Sequence, residues 1–424
     1  MKHFTSIVSS SLGNIIEWYD FGLFTIFSPL FSQLFFPTIN PRLTLLATFS
    51  IFSIGFFFRP LGALIFGYLG DKRGRAKTLR LSILMISVPT LLIGILPTYQ
   101  QIGIGAPLLL VCIRIWQGIS IGGEFGGNLI YLAETAPTAY RATFTSFANS
   151  GANVGILLAA LVGVITSSLI SPHTLNAWGW RIPYILSGIL CLAIYRYRLK
   201  IQETQVFDYL KMKKKLANNP IKVMIKNNIP HLLRTLGLVC MGSTFYYFSF
   251  IYLPIYLSQR MVLSVEYISL LILTLISLMI LLIPISGLIC DYLGRKKMLL
   301  FNAALIALLI IPGFYFLQYD NRILAIFILL LFAIASSLEQ GVTGVAIVEN
   351  FPPPARYTGL SLGHNLGNGI LGGTVPIVSS WLISFTHLTL APAFYIAICA
   401  GITGMVALWW TSETKGIDLS ESTE

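Results

Sequence analysis

Apolar residues run through this chain almost without a break, interrupted at fairly regular intervals by short clusters of Gly, Pro, Asn and charged side chains. The runs at 43–69, 270–289 and 323–338 each approach or exceed the roughly 20 residues that cross a hydrocarbon core as helix. Barrel strands would instead be alternating segments of roughly 10 residues. Lipid offers no partner to exposed backbone, so the spans must be helices. Hydropathy and turn signals together predict twelve: 8–36, 43–70, 79–97, 106–133, 142–169, 182–199, 229–258, 266–290, 297–317, 323–350, 357–386 and 390–411. The expected architecture is an all-α membrane protein of two six-helix bundles, 1–199 and 229–424, joined by a linker at 200–228.

Composition agrees with this pattern. Of 424 residues 55% are hydrophobic and 10% charged, and the mean hydropathy is +0.79; soluble proteins carry roughly a quarter charged residues. The linker holds Lys211, Lys213, Lys214, Lys215, Lys222 and Lys226, and its plain reading is a solvated connection. Placing the even-numbered connections and both termini on one side gathers there Lys2, Lys72, Arg73, Arg75, Lys77, Arg80, Arg141, the linker cations, Arg295, Lys296, Lys297, Arg356 and Lys415. The other side keeps only Arg42, Arg181, Arg260 and Arg322. The positive-inside rule then puts both termini in the cytoplasm. Topology thus accounts for the net charge of +12, and nucleic acid is not needed as a partner. The five cysteines lie inside apolar runs without metal or disulfide spacing, and read as packing residues. Glu17 and Asp20 fall in the first apolar stretch, where a cleavable signal peptide would not tolerate them, so no cleavage is expected.

The two halves repeat one another. Glu124, Glu134, Pro137 and Arg141 recur with identical spacing as Glu339, Glu349, Pro352 and Arg356, and Gly126, Thr143, Ser146 and Asn153 match Gly341, Thr358, Ser361 and Asn368 at the same offset. Upstream, Gly67, Asp71 and Gly74-Arg75 recur as Gly287, Asp291 and Gly294-Arg295. Such a repeat is the mark of a transporter built from two related halves. Each repeated turn sets a carboxylate at a helix C-terminal end, where the dipole disfavours it, so it should seek an Arg or a neighbouring helix N-terminus. Asp71, Arg75, Glu134 and Arg141, with Asp291, Arg295, Glu349 and Arg356, are therefore expected to form a cytoplasmic gate between the bundles. The alternative is that they only tie loops together within each half.

These residues resemble the major facilitator superfamily, in particular the metabolite:proton symporters that include proline/betaine, ketoglutarate, citrate and shikimate permeases. The resemblance covers nearly the whole chain. It rests on Gly13-Asn14 and Glu17-Trp18-Tyr19-Asp20-Phe21, Arg59-Pro60-Leu61-Gly62 leading to Gly67 and Asp71, and Arg114 with Gln117-Gly118. Gly122-Gly123-Glu124, Gly179-Trp180-Arg181-Ile182-Pro183, and Phe351-Pro352 through Arg356 to Asn365 and Gly372-Gly373 extend it. It implies bundles related by a pseudo-twofold axis, a central cavity, rocking alternating access, proton-driven uptake and a multi-pass protein of the bacterial inner membrane. Two positions depart from the family: Tyr292 stands where a basic residue is common and His364 where Tyr usually precedes Asn365. The chain stops soon after Glu413 without a long heptad-bearing tail, so osmotic activation is not expected.

Ionisable groups inside a span cost several kcal/mol unless paired or hydrated, which makes each a candidate. The first half supplies Glu17, Asp20 and Glu124 against Arg59 and Arg114, and the second supplies Glu339 with no clearly buried cation. Three acids against two cations leave one acid in surplus, and that acid is the expected proton carrier: Asp20 first, Glu124 second, with Arg114 as switchable counter-ion and Glu17 on the same helix face as Asp20. Arg59 either meets substrate or holds the bent second helix. Tyr19, Trp116, Gln117, Asn149, Asn153, Tyr246, Tyr247, Glu339, His364, Asn365 and Asn368 are candidates to line the cavity, with interhelical hydrogen bonding as the plain alternative. Glycines such as Gly118, Gly122 and Gly126 are spaced for close helix approach, not for a nucleotide, and no Walker-type phosphate loop is present.

A di- or tricarboxylate would require cations from both halves, and the second half offers none deep in a span. Tyr246, Tyr247, Phe248 and Phe250 instead present rings that suit an ammonium group. The expected function is proton-coupled import of a zwitterion or monocarboxylate such as proline, betaine or another amino acid. The alternatives are symport of a di/tricarboxylate or shikimate-like acid, a non-transporting sensor, and a membrane-embedded enzyme; the last is disfavoured because no metal-spaced cluster or nucleophile elbow is present. The expected partners are a small solute and the bilayer, with the proton as coupling ion, no cofactor, and a functional monomer.

Overall fold

The computed structural model describes residues 2–36, 41–260, 265–319 and 321–421, with the side chains of 2–6, 41–53, 259–260 and 265–266 left out. Twelve long helices follow one another: α1 (Lys2–Phe35), α2 (Pro41–Arg73), α3 (Arg75–Gly94), α4 (Gly105–Thr135), α5 (Arg141–Leu169), α6 (Arg181–Arg198), α7 (Ile229–Tyr247), α8 (Val265–Leu293), α9 (Arg295–Phe316), α10 (Arg322–Glu349), α11 (Arg356–Leu366) and α12 (Ala391–Met405). Among the described residues nine helices are long and apolar enough to cross a membrane, and the bent pair Pro172–Gly179 and α6 makes a tenth. The two remaining, α1 and α2, are 34 and 33 residues long. Side chains such as Phe57 and Ile323, more than four-fifths exposed, point outward, as a lipid-facing surface requires.

π-helical turns interrupt α7 at Phe248–Tyr252 and α11 at Gly367–Gly372, after which each resumes as Leu253–Arg260 and Val375–Thr386. Such turns re-aim side chains locally and recur at functional sites. The repeated glycines of the two turns have a backbone reason. Gly74 has φ 112 and Gly294 φ 100, a region nearly closed to side chains with a Cβ.

Packing repeats as the sequence does. In the first half α1 lies on α5, α2 on α4 and α3 on α6; in the second α7 lies on α11, α8 on α10 and α9 on α12. The α2–α4 contact is close because glycines line it: a Cβ at Gly62, Gly118 or Gly122 would collide with the backbone of Ile119, Gly55 or Arg59. Between the halves α2 lies along α11, and α5 along α8.

The linker differs from a plain solvated connection. It holds two short helices, Gln205–Met212 and Pro220–Asn227, capped by the side chains of Thr204 and Asn219. Phe207, Leu210 and Met224 are buried. The lysine count conceals this one-sided apolar spacing.

Candidate functional site

At the linker end of the bundle two ionic clusters, built from the repeated residues, join the halves. Asp71, at the end of α2, accepts from the Tyr357 and Thr358 N–H groups at 3.1 and 2.9 Å and from the Thr358 hydroxyl at 2.9 Å. Asp291, at the end of α8, accepts from the Ala142 and Thr143 N–H groups at 2.9 and 2.8 Å and from the Thr143 hydroxyl at 2.8 Å. Each carboxylate thus leaves an unfavourable helix C-terminus and meets the N-terminus of a helix in the opposite half. Arg75 pairs with Asp71 at 3.6 Å and Glu134 at 3.3 Å, and Arg356 reaches Glu134 from the other half at 3.0 Å. At the repeated positions, Arg295 pairs with Asp291 at 3.2 Å and Glu349 at 3.0 Å, and Arg141 reaches Glu349 at 2.8 Å.

Four further members are absent from the sequence reading. Glu203 accepts from the N–H groups of Arg75 and Ala76 at the start of α3, and Glu413 from those of Arg295 and Lys296 at the start of α9. The next residues, Thr204 and Thr414, donate to Glu134 and Glu349 at 2.6 and 2.7 Å. A repeated Glu-Thr pair following the sixth and twelfth spans is the signal that exposes them. The C-terminal segment completes the closure: the Ile417 carbonyl accepts from Arg141 and the Leu419 carbonyl from Arg356.

Deeper in the first half lie two separate networks. Asp20 on α1 and Arg114 on α4 stand 3.8 Å apart, both buried. Gln117 bridges them, accepting from Arg114 at 2.8 Å and donating to Asp20 at 2.7 Å, and Thr90 donates to the second Asp20 oxygen at 3.1 Å. The Arg114 guanidinium lies 4.1 Å from the Phe24 ring centroid and 4.9 Å from that of Phe21. Glu124 belongs elsewhere. Both its oxygens accept from Arg198, one of them at 3.0 Å, and Ser82 and Asn128 donate to it as well.

This corrects the count of charges. Arg198 is buried, whereas the sequence places it at the polar end of a span. Away from the linker-end clusters, Glu17, Asp20 and Glu124 thus stand with Arg59, Arg114 and Arg198, three acids with three cations, while the buried Arg181 donates to the Ala177 and Leu96 carbonyls. Glu17 is buried with neither oxygen hydrogen-bonded among the described residues. Arg59 is buried among rings, its guanidinium 4.2 Å from the Phe56 centroid, 4.5 Å from that of Phe21 and 5.8 Å from that of Trp18, with Nε and Nη2 lacking a hydrogen-bond partner among the described residues. Glu17 and Arg59 interact electrostatically without forming a close pair.

A cavity lies between the halves, lined by Trp18 of α1, Phe125 of α4, Asn149 and Asn153 of α5, Tyr246 and Tyr247 of α7, Glu339 and Gln340 of α10, and His364 and Asn368 of α11. Seven of the sequence candidates reach it: Asn149, Asn153, Tyr246, Tyr247, Glu339, His364 and Asn368. Polar contacts cross it, from Asn153 to Gln340 at 3.0 Å and from Asn149 to the Gln340 carbonyl at 2.7 Å. His364 stacks on Phe125 with centroids 4.4 Å apart and meets Asn368 at 2.7 Å. Tyr19, Arg59, Trp116, Gln117 and Asn365 are not part of the lining. Tyr19 packs in an apolar cluster with Leu23 and Phe24, and Asn365 ties α11 to the Gly122 carbonyl at 2.8 Å. Trp18, Phe125 and Gln340 line the cavity although the sequence reading passed over them. Among the described residues no cluster of His, Cys, Asp and Glu could hold a metal ion.

The chain is similar to known transporters over nearly its full length. It is 32% identical over 427 residues to the glycine betaine/proline/ectoine/pipecolic acid transporter OusA of Dickeya dadantii (strain 3937), covering 99% of this chain and 85% of that protein. It is 30% identical over 416 residues to the citrate-proton symporter of Klebsiella pneumoniae, covering 98% and 93%. Among solved structures, the proton:xylose symporter XylE bound to 6-bromo-6-deoxy-D-glucose superposes with a TM-score of 0.79 at 18% identity, covering 99% of this chain and 98% of that one. Residues 11–372 match the Major Facilitator Superfamily, and with the repeated halves, the twelve helices and the cavity at their seam, the chain belongs to that family.

Proposed function

We propose that the protein is a proton-coupled symporter that imports a small zwitterion or monocarboxylate, such as betaine, proline or another amino acid, across the bacterial inner membrane. The observation that carries this reading is the seam: a cavity lined by both halves, shut at one end by the Asp71–Thr358 and Asp291–Thr143 contacts. The units 1–199 and 229–424 rock about the cavity, and the linker and both termini face the cytoplasm. In this reading the eight residues of the ionic clusters form the cytoplasmic gate, with Glu203, Glu413, Thr204 and Thr414 as supports.

Asp20 carries the proton. Gln117 keeps Arg114 beside it without the tight bidentate contact that would hold Asp20 permanently ionised, so a small shift of α1 against α4 changes the strength of the pair. Protonation and conformation are linked in this way. Glu124, held by Arg198, Asn128 and Ser82, is a structural tie and no longer the second choice for the proton. The protein works as a monomer with the proton as its only coupling agent.

The test is uptake into proteoliposomes across a panel of betaines, amino acids and organic acids under an imposed inward proton gradient. Accumulation of a zwitterion that an uncoupler abolishes supports the proposal; accumulation of citrate or ketoglutarate alone overturns the substrate class. A di- or tricarboxylate is the second reading, favoured by the citrate-transporting relative. The cavity opposes it, since among the described residues the one charged group in its lining is an acid.

A further inference from the structure

Among the described residues the ionisable groups buried near the cavity and the linker-end clusters fall into sets that balance, with one exception; Arg181, also buried, stands apart, its guanidinium donating to the Ala177 and Leu96 carbonyls. Around the linker-end clusters Asp71, Glu134, Asp291 and Glu349 meet Arg75, Arg141, Arg295 and Arg356. In the first half Glu17, Asp20 and Glu124 face Arg59, Arg114 and Arg198. Glu339 is left over. It is 5% exposed, pairs with no cation among the described residues, and lines the cavity. Its carboxylate lies against Gly242, where any side chain would collide with it, so α7 leaves open the space the acid occupies.

The repeat explains how the exception arises. Glu339 is the counterpart of Glu124, whose charge is met by Arg198, five residues before Glu203. Five residues before Glu413, the counterpart of Glu203, stands Leu408. The second half therefore keeps the acid and lacks the arginine. An ionised carboxylate without a counter-ion in a low-dielectric site is expensive, so Glu339 is either protonated or met by a cation that enters the cavity. The walls beside Glu339 suit one kind of cation. Trp18, Tyr246 and Tyr247 put aromatic rings in the lining, and the face of such a ring attracts an alkylated ammonium that cannot use many hydrogen bonds. Positive charge for an opposite end is close by: Arg59, whose Nε and Nη2 have no hydrogen-bond partner among the described residues, lies behind Trp18 and acts electrostatically on Tyr247 and His364, all three of which line the cavity.

We propose that Glu339 binds the cationic group of a zwitterionic substrate, an ammonium carried a bond or two from a carboxylate, with Trp18, Tyr246 and Tyr247 around it and Arg59 toward the carboxylate end. This rests on the transport reading above and assigns the residue that selects its substrate class.

The experiment measures equilibrium binding calorimetrically to the purified full-length protein in lipid nanodiscs, where no gradient exists, so that a failure of proton coupling and a failure of this assignment are separate results. Two pairs of probes differ only in the cationic centre: glycine betaine against 3,3-dimethylbutanoate, and proline against cyclopentanecarboxylate. The wild type is expected to prefer the zwitterion in at least one pair by about 10- to 100-fold, the range that charge-assisted contacts supply. Glu339→Gln is expected to erase that preference, weakening the zwitterion while the anionic analogue, no longer repelled by an acid, binds as well as to the wild type or better, and Glu339→Asp to restore part of it. A wild type without preference in either pair overturns the proposal. So does a Glu339→Gln protein that keeps its preference but loses proton-driven accumulation, which would make Glu339 a proton site. Equal weakening of both members of a pair, with no rescue by Asp, would reduce Glu339 to a packing group and overturn it as well.

Discussion

Asp71 and Asp291 make the same contact in opposite directions: each caps the first turn of a helix in the other half, Asp71 at Tyr357–Thr358 and Asp291 at Ala142–Thr143. Three hydrogen bonds end on each carboxylate, and Gly67 and Gly287, one turn earlier, press against the backbone of the same threonines. A carboxylate at a helix N-terminus gains both from the hydrogen bonds and from the dipole. These contacts join the two halves, so in the transport reading proposed above they bias a conformational equilibrium more than they stabilise either half.

Asp71→Asn and Asp291→Asn should therefore open the linker end without unfolding the protein. Each replaces charge-assisted bonds by neutral ones, a loss of about 1–2 kcal/mol, which shifts the open-to-shut ratio by about 5- to 30-fold. Spin-label distances between the linker ends of α2 and α11, and of α5 and α8, would lengthen in both variants. Distance distributions identical to wild type in both would remove the gate from the mechanism.

Asp20→Asn should separate exchange from accumulation. The amide oxygen still accepts from Gln117 and its NH2 group can donate to the Thr90 hydroxyl, so the local shape survives with Arg114 deprived of its counter-ion, but no proton can be loaded. Counterflow of labelled solute in proteoliposomes should continue near the wild-type rate, whereas uptake driven by a proton gradient should be lost. Accumulation at the wild-type level would move the proton to another residue.

Glu124→Gln has a different expected outcome, although Glu124 and Asp20 look alike in the sequence. Arg198 would keep its charge in a buried site with its main partner gone, which costs about 3–5 kcal/mol. Thermal unfolding in detergent should show a large loss for Glu124→Gln and for Arg198→Met alone, and a partial recovery in the double variant Glu124→Leu/Arg198→Met. A stable Glu124→Gln protein with normal exchange but no accumulation would return Glu124 to the proton pathway.

Much of this architecture was legible because lipid imposes it. Twelve apolar runs had to be helices, and the ends of α10 (Arg322–Glu349) and α5 (Arg141–Leu169) fall within a residue of the sequence expectation. The repeat also located both ionic clusters, since Asp71 and Asp291 were identifiable as carboxylates at the wrong end of a helix. Arg198 was harder. It sits among Arg196 and Lys200, and only the tertiary fold reveals that one of the three turns inward. The same limit applies to Trp18 and Phe125: an aromatic residue in an apolar span carries no local mark that distinguishes the cavity from lipid. Arg59 and Gln117 read as cavity residues because they are polar, yet three-dimensional packing wraps one in rings and commits the other to Asp20.

Gly122 and Gly401 give the last prediction, as two glycines in long helices with opposite surroundings. A Cβ at Gly122 would strike the Arg59 carbonyl and the Ala63 nitrogen, because α4 and α2 approach closely there; a Cβ at Gly401 on α12 meets nothing within 4 Å. Backbone atoms cannot swing aside as the end of a side chain can, so Gly122→Ala must push the helices apart, at about 1–3 kcal/mol. Gly401→Ala relieves a flexible position at no steric expense and should raise stability by up to about 1 kcal/mol. Thermal unfolding midpoints of the two single variants in the same detergent should therefore fall on opposite sides of the wild type. If Gly122→Ala unfolds at or above the Gly401→Ala temperature, the close α2–α4 contact inferred from the glycine spacing is wrong.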